Sequence, residues 1–167
     1  MMEYCWVPGN PAPKGSVRVY TRTRRGRHLA HPVVTHDNPR TAGWQAQIAA
    51  AMRSQPWISR ASGACPAPRG TPVALYLAFA LRRPKTVKSR KHTVKPDLDK
   101  LARLVCDALT GIVYWDDAQV QHLRAIKFYS LTPGVHIWVG CNTESDLEHN
   151  ELERAITAAK RALEDNS

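Results

Sequence analysis

The clearest alternation of side chains along this chain spans residues 73–81. Large apolar residues stand at every odd position and alanine or tyrosine at every even position. A period of two is typical of a β-strand, whose successive side chains point to opposite faces. Because the second face is also apolar, although its residues are small, we expect this strand to lie in the centre of a sheet.

Three other segments place their apolar residues at helical spacing. The first begins at Asn38-Pro39, an N-cap followed by proline at the first helical position, and extends to about Ser54. The second spans residues 96–109, with charged residues largely opposite its apolar face. The third, residues 145–164, opens with a capping box and has acids early and bases late, as the helix dipole prefers.

The remaining pattern predicts short strands and turns. We expect strands at 4–7 and 16–23, a strand containing 33–35 as the partner of 16–23, a basic hairpin tip at 24–28, and a loop at 55–70. The apolar runs 120–129 and 135–141, joined by a turn, are interpreted as a β-hairpin. The prediction is one α+β domain over residues 1–167, a small, mixed, largely antiparallel sheet covered by helices.

Size and composition favour an ordinary cytoplasmic domain. The chain has 167 residues, 43% of them apolar, enough for one core. Its four cysteines form no C-x-x-C pair, and its first residues lack the pattern of a secretory signal, so we expect reduced thiols. No apolar run approaches the roughly 20 residues of a membrane span.

Charge divides the chain into two unlike parts. Up to Pro96 there are 17 Lys and Arg residues against two acids, whereas from Asp97 onward 7 bases face 12 acids. A basic body beside a small acidic cluster suits a protein that holds a polyanion and a divalent cation together. Simple solubility charge is the alternative, but a basic surface of this strength favours nucleic acid.

Positive charge is densest in residues 82–95, which contain no acid. We expect this basic loop to be mobile in the free protein and to bind DNA phosphates, although an inert solvated loop is the alternative. The nucleic-acid-binding residues predicted in and after it are Arg82, Arg83, Lys85, Lys88, Arg90, Lys91, Lys95 and Lys100.

Carboxylates follow the basic loop directly. Asp97 and Asp99 stand where Pro96 favours extended chain and a helix begins, and only at such a junction can carboxylates two positions apart converge on one cation. Asp116 and Asp117 precede the strand predicted at 120–129. Hard divalent cations prefer such oxygen ligands, and a cation that polarises phosphate is what phosphodiester hydrolysis needs. The structural alternative is that Asp97 caps a helix, Asp99 is an exposed residue and Asp116-Asp117 form a turn, but the joint spacing and the basic run beside it favour the metal site.

The order Pro-Asp-Leu-Asp at 96–99, Asp-Ala-Leu at 107–109 and Trp-Asp-Asp-Ala-Gln-Val at 115–120 resembles the RusA family of Holliday-junction resolvases, metal-dependent endonucleases of bacteria and phages. The resemblance implies that Asp97, Asp99 and Asp117 are the metal-binding catalytic carboxylates, with Mg²⁺, or alternatively Mn²⁺, as cofactor. It also implies a homodimer that cuts four-way junctions in the cytoplasm of a bacterial or phage-infected cell.

Neighbouring residues receive different interpretations. Asp116 is expected to position the turn or to contact water around the metal. Asp107, roughly 12 Å along the helix from Asp99, is expected to be structural, with Arg103 as its partner. Trp115 either packs beneath the site or stacks on an exposed base, and packing is the more frequent outcome.

The chain departs from the family pattern after Asp99. The family usually has Asn and, three residues later, Lys, whereas this chain has Lys100 and Arg103. Arginine stays protonated, so Arg103 is predicted to stabilise negative charge at the phosphate without donating a proton. The function predicted is a Mg²⁺-dependent endonuclease resolving four-way junctions in recombination and repair. The alternatives are a flap or replication-fork nuclease and a non-catalytic DNA-binding protein.

Overall fold

The computed structural model describes residues 2–15, 17–20, 23–24, 27–28, 33–36, 40–60 and 66–141, together with residues 157 and 161. The strands are β1 (Met2–Pro8), β2 (Val17–Tyr20), β3 (Thr23–Arg24), β4 (Arg27–His28), β5 (Val33–His36), β6 (Val73–Leu81), β7 (Val120–Tyr129) and β8 (Gly134–Cys141). The helices are α1 (Arg40–Arg53), α2 (Pro56–Ser59) and α3 (Leu98–Leu109), with a 3-10 helix at Asp117–Gln119.

Four strands form the main sheet in the order β1-β8-β6-β7. β8 is antiparallel to both of its neighbours, whereas β7 runs parallel to β6. The predicted α+β class, with a mixed and largely antiparallel sheet, is confirmed. The predicted position of β6 is also confirmed, because β6 lies between β7 and β8. Burial of both its faces explains why even the small alternate residues of β6 are apolar.

The predicted hairpin of β7 and β8 is wrong, because β6 lies between them. The segment joining β7 to β8 crosses the end of β6. Ser130 in this segment donates its N–H to O of Leu81, the last residue of β6, at 2.9 Å. Crossing one strand means moving about 10 Å across the sheet, which a connection of this length can span. Two apolar runs joined by a short turn suggest a hairpin, but such a pattern does not specify whether a third strand lies between them.

The helices α1 and α3 build the core on one face of the sheet. The odd-numbered residues of β6 belong to one buried cluster with Trp44, Ile48 and Met52 of α1 and Leu101, Leu104, Val105 and Leu109 of α3. The other face holds a smaller cluster around Ala78 and Trp138. Burial of each large apolar side chain contributes about 1.5–3 kcal/mol, so this core fixes α3 against β6 and β7.

The smaller elements agree in part with expectation. β2 pairs with β5 and β3 pairs with β4, both antiparallel, which confirms these two predicted pairings. Helix α2 lies inside the segment predicted as loop; proline at its first position favours such a turn of helix. The N-cap predicted at Asn38 lies outside the described residues, as does most of 145–164, although Thr157 and Arg161 are helical. In the part of the chain described, no helix is long and apolar enough to span a membrane.

Candidate active site

Asp97 stands at the junction of extended chain and helix, as predicted. It is the N-cap residue of α3, with φ −71° and ψ 137°, and its side chain makes no capping hydrogen bond. Instead, its Oδ2 lies 3.3 Å from Lys100 Nζ. Asp99 follows in the first turn and is exposed. Both carboxylates therefore lie at the protein surface, Asp97 half-exposed and ion-paired with Lys100, and Asp99 exposed.

Lys127 of β7 braces the chain just before Asp97. Its Nζ donates to Val94 O and to Pro96 O, both at 2.8 Å. One ammonium group thus fixes two carbonyls within three residues of the first candidate ligand. Spacing along the sequence gives no sign of this contact, since Lys127 is 31 residues beyond Pro96 and looks like an ordinary strand residue.

The two aspartates in the turn before β7 differ in the contacts that their side chains make. Asp116 Oδ1 accepts from Ala118 N at 2.9 Å and completes a capping box with Gln119, which begins the 3-10 helix. The expectation that Asp116 positions the turn is confirmed. Asp117 is exposed; its main-chain O accepts from Val120 N–H, but its side chain makes no hydrogen bond or ion pair within the described residues. Its carboxylate is the one that the turn leaves available.

The Gln119 side chain ties this turn to the segment before β6. Its Oε1 accepts from the N–H groups of Trp115 and Asp116, at 3.0 and 3.2 Å, and its Nε2 donates to Pro68 O and Thr71 O, at 2.7 and 3.1 Å. Four hydrogen bonds from one amide hold two segments of chain together. The sequence motif showed that a glutamine stands here but not what it holds.

The three candidate ligands do not form a complete metal site. Over the residues described, no group of three His, Cys, Asp or Glu side chains is arranged to hold a metal ion. Asp97 and Asp99 lie at the first turn of α3, whereas Asp117 lies in the 3-10 helix before β7. The donor chemistry, three carboxylates, nevertheless fits a hard divalent cation.

Asp107 forms an ion pair with Lys14, and the prediction that Arg103 is its partner is wrong. Lys14 Nζ binds the Asp107 carboxylate, and Lys14 N–H donates to Lys100 O at 3.0 Å. Lys14 lies in the loop after β1, which the Thr41 hydroxyl also holds by donating to Pro13 O at 3.1 Å. Asp107 is therefore structural, as expected, but it fastens a distant loop to α3. A pairing over 93 residues could not be inferred from helical spacing.

The cationic residues around the site are exposed. Arg103 projects from α3 with no ion pair to any described residue. Residues 82–95 form no regular helix or strand, and all seven of the positively charged residues in this basic loop are exposed. The loop runs from the end of β6 to the start of α3, so its last charges adjoin Asp97.

Trp115 is not packed beneath the site. Its side chain is 41% exposed, and Arg69 Cζ lies 4.7 Å from the centroid of its ring. The more frequent alternative, packing, is therefore wrong for this residue. The aromatic ring of Trp115 and the cationic guanidinium of Arg69 are thus two flat groups at the surface beside Asp116.

Sequence comparisons identify the family. The model of the family described as Endodeoxyribonuclease RusA matches residues 8–140, which include every candidate site residue. The chain belongs to the RusA family. It is also similar to "Uncharacterized protein YqaN" of Bacillus subtilis (strain 168), with 34% identity over 80 residues. That match covers 41% of this chain and 56% of YqaN, so the chain spans about half the length of this relative.

Proposed function

We propose that this protein is a metal-dependent endodeoxyribonuclease that cuts branched DNA, with the four-way junction as its substrate and Mg²⁺ or Mn²⁺ as its cofactor. The observation that carries this proposal is a pair of surface carboxylates, Asp97 and Asp99, at the end of an exposed loop with seven positive charges; Asp97 makes no capping hydrogen bond, and its ion pair with Lys100 is with a half-exposed lysine. Membership of an endodeoxyribonuclease family supports it. Such an enzyme would serve recombination and repair in the cytoplasm of a bacterial or phage-infected cell.

Each residue of the candidate site has a distinct role in this proposal. Asp97, Asp99 and Asp117 would hold the cation, which supplies stabilisation of negative charge on the phosphate under attack. Arg103 stabilises that same charge from the next turn of α3. Lys127 and Gln119 are positioning residues, since they fix the segments that carry the carboxylates and touch no substrate.

The basic loop supplies affinity for the DNA backbone. Its exposed ammonium and guanidinium groups can each replace a counterion at a phosphate, an interaction that carries no sequence information. Changing Arg82, Arg83, Lys85 and Lys88 to Ala is expected to weaken binding to every DNA shape. The slope of log affinity against log salt should flatten by about 0.9 per lost phosphate contact on duplex. Superimposable salt series for variant and wild type would exclude the loop from the interface.

The deciding experiment offers the full chain a synthetic four-way junction, a flap, a fork and a linear duplex, each with Mg²⁺ or with chelator. We expect cleavage of the junction only in the presence of the metal. Asp97→Asn, Asp99→Asn and Asp117→Asn should abolish cleavage and keep binding or tighten it, because each change removes a ligand and also a negative charge that repels phosphate.

Asp107→Asn is the matched control, since it makes the same chemical change on the same helix outside the site. It should lower stability through the lost Lys14 contact while cleavage continues. Cleavage at the wild-type rate by all three site variants would disprove the metal site. Preferential cutting of the flap or fork would keep the enzyme class and correct the substrate.

One observation favours a second candidate, a non-catalytic DNA-binding protein. The described residues gather no three-ligand group, so the carboxylates would have to move to complete the site. A junction-binding protein that releases no product with Mg²⁺ or Mn²⁺ at any enzyme concentration would establish this candidate. Calorimetric titration of the free protein with either cation also distinguishes the nuclease from the non-catalytic protein. Only the nuclease requires a cation-binding site that the Asp-to-Asn changes remove.

A further inference from the structure

A shallow cleft lies beside the candidate active site. Its volume is about 400 Å³, and its walls are two segments of chain, one around Arg69 and Thr71 and the other from Trp115 to Gln121. Asp117, one of the proposed metal ligands, does not line the cleft, but its two neighbours in the chain, Asp116 and Ala118, do. A space of this size is within the range of ligand pockets, and the proposed chemistry does not use it.

The cleft is held open by hydrogen bonds within its walls. The Gln119 amide joins both walls by its four bonds, and the Asp116 carboxylate is occupied by Ala118 N–H. The Gln119 amide is therefore satisfied without a ligand, whereas the exposed Asp116 carboxylate has one of its two oxygens engaged by Ala118 N–H. The other large side chains exposed along the cleft are those of Trp115, Arg69 and Gln121.

We infer that this cleft binds one unstacked nucleobase of the DNA, close to the phosphate that is cut. The inference rests on the proposed function. An indole ring and a guanidinium group are both flat and both stack on bases, and they already lie against each other at 4.7 Å. The exposed Gln121 amide carries a donor and an acceptor, which is what recognition of a base edge needs.

A nucleobase fits these walls better than other occupants. An apolar protein segment would contact the Trp115 ring, Pro72 and Ala118, but it would also have to desolvate the Arg69 guanidinium and the Asp116 carboxylate, which share the same walls. A free phosphate would find a single guanidinium, whose positive charge is opposed by the nearby carboxylates of Asp116 and Asp117. Unpaired or readily unpaired bases, by contrast, are what the centre of a branched junction offers.

The test measures binding with chelator present, so that cleavage plays no part. Full-length wild-type protein and Trp115→Ala are titrated onto labelled four-way junctions, one intact and the others each lacking a single base near the branch point. We expect wild type to lose about tenfold in affinity at one abasic position, as stacking on an aromatic ring predicts. Trp115→Ala should lose a similar factor on the intact junction and nothing further at that position, while Trp115→Phe keeps most of the affinity.

Arg69→Ala should also weaken binding to the intact junction, and Arg60→Ala is its matched control, an equal charge change at an exposed residue outside the cleft. A measurement on the wild type alone guards against misfolded variants: the fluorescence of 2-aminopurine at the identified position should change on binding, because the base leaves the DNA stack. Wild-type affinity of Trp115→Ala, independent effects of Trp115→Ala and base removal, or unchanged 2-aminopurine fluorescence would each overturn the inference.

The results that would disprove the inference differ from those that would disprove the proposed function. Metal-dependent cleavage that Asp117→Asn abolishes, combined with any of those negative outcomes, would leave a junction nuclease whose cleft binds no base. A wild-type protein that neither binds nor cuts branched DNA would remove the proposed function, and the inference with it.

Discussion

Lys127 donates hydrogen bonds to two main-chain carbonyls just before Asp97, and we propose that these bonds position the candidate ligands. Lys127→Met removes both hydrogen bonds to the carbonyls of Val94 and Pro96 but keeps the apolar part of the side chain. Because residues that orient metal ligands typically contribute a factor of about 10–100 in metal affinity, we expect a loss of that size for Mn²⁺. Isothermal calorimetry on the DNA-free protein measures it.

Lys127→Arg retains a cation that can donate to two carbonyls, and it should recover part of the affinity. Lys88→Met is the control, because it removes a lysine from the exposed basic loop, away from these carbonyls. Equal Mn²⁺ affinity for Lys127→Met and wild type would show that Asp97 is positioned by α3 alone.

Arg103 is proposed to stabilise the negative charge that develops on the phosphate. Arg103→Ala should lower the single-turnover cleavage rate by about two or more orders of magnitude, as expected for loss of a preorganised charge. Arg103→Lys should recover much of the rate, and both variants should still bind junctions. The alternative role of Arg103, as the ion-pair partner of Asp107, is excluded because Asp107 pairs with Lys14. An unchanged rate for Arg103→Ala, with saturating enzyme and Mg²⁺, would contradict the prediction.

Individual residues of the site were predictable to different degrees. Asp97, Asp99 and Asp117 could be chosen as candidate metal ligands because their spacing matches a family motif. Pro96 also predicts the boundary between extended chain and helix near Asp97. Lys127, Gln119 and Lys14 could not be selected. Their partners are mostly main-chain carbonyls or residues remote in sequence, and neither spacing nor residue type encodes such contacts.

Among the elements, α3 and β6 were predictable because each has one strong and unambiguous period. The pairing of β7 with β6 was not, since parallel pairing through an intervening helix leaves no local signal at the end of β7. Helix α2 was missed because four residues are too few for a helical period to appear. The element that carries Asp97 was therefore foreseen, whereas the strand that braces it was placed beside the wrong neighbour.

Strand β8 contains a buried histidine with a strongly lowered pKa. The His136 side chain is 5% exposed, its Nδ1 lies 2.8 Å from the Tyr4 hydroxyl, and its ring centroid is 4.2 Å from that of Trp6. Within the described residues, its Nε2 is buried without a hydrogen-bond partner. Burial lowers the pKa of His136 from 6.5 to about 4.

This lowered pKa makes the stability of the sheet dependent on pH. The unfolded chain takes up a proton at His136 below about pH 6.5, whereas the folded protein does so only near pH 4, so stability falls as pH decreases through that window. The expected contribution is about 3 kcal/mol. Urea unfolding at pH 7 and pH 4.5 measures it. His136→Gln should flatten the difference, while His122→Gln, at an exposed position of β7, should leave it unchanged.

At the scale of the whole molecule, opposite charges are kept on adjoining surfaces. The exposed basic loop ends where the carboxylates begin, and Lys14 joins the loop after β1 to Asp107 of α3 by an ion pair. This arrangement follows from chain connectivity, because the segment from β6 to α3 is continuous. Charge distribution along the sequence was therefore a good guide to charge distribution around the site.

One protein chain carries one set of candidate ligands, which limits it to one nick at a time. Resolving a four-way junction takes two symmetric nicks, and a two-fold homodimer supplies two sites related by the symmetry of the junction. We therefore expect light scattering to give twice the chain mass at micromolar concentration, with or without DNA. A monomer under both conditions would contradict the dimer.

Mixed dimers test whether both sites act on one junction. Wild-type protein and excess Asp117→Asn, which should still bind, are unfolded together and refolded so that most active subunits have an inactive partner. On a supercoiled plasmid with an extruded cruciform, two wild-type sites should produce linear DNA, because paired nicks cut both strands. One wild-type site should produce nicked circles, since relaxation after the first nick removes the cruciform. Linear product in undiminished proportion from the mixture would show that each chain completes both nicks without its partner.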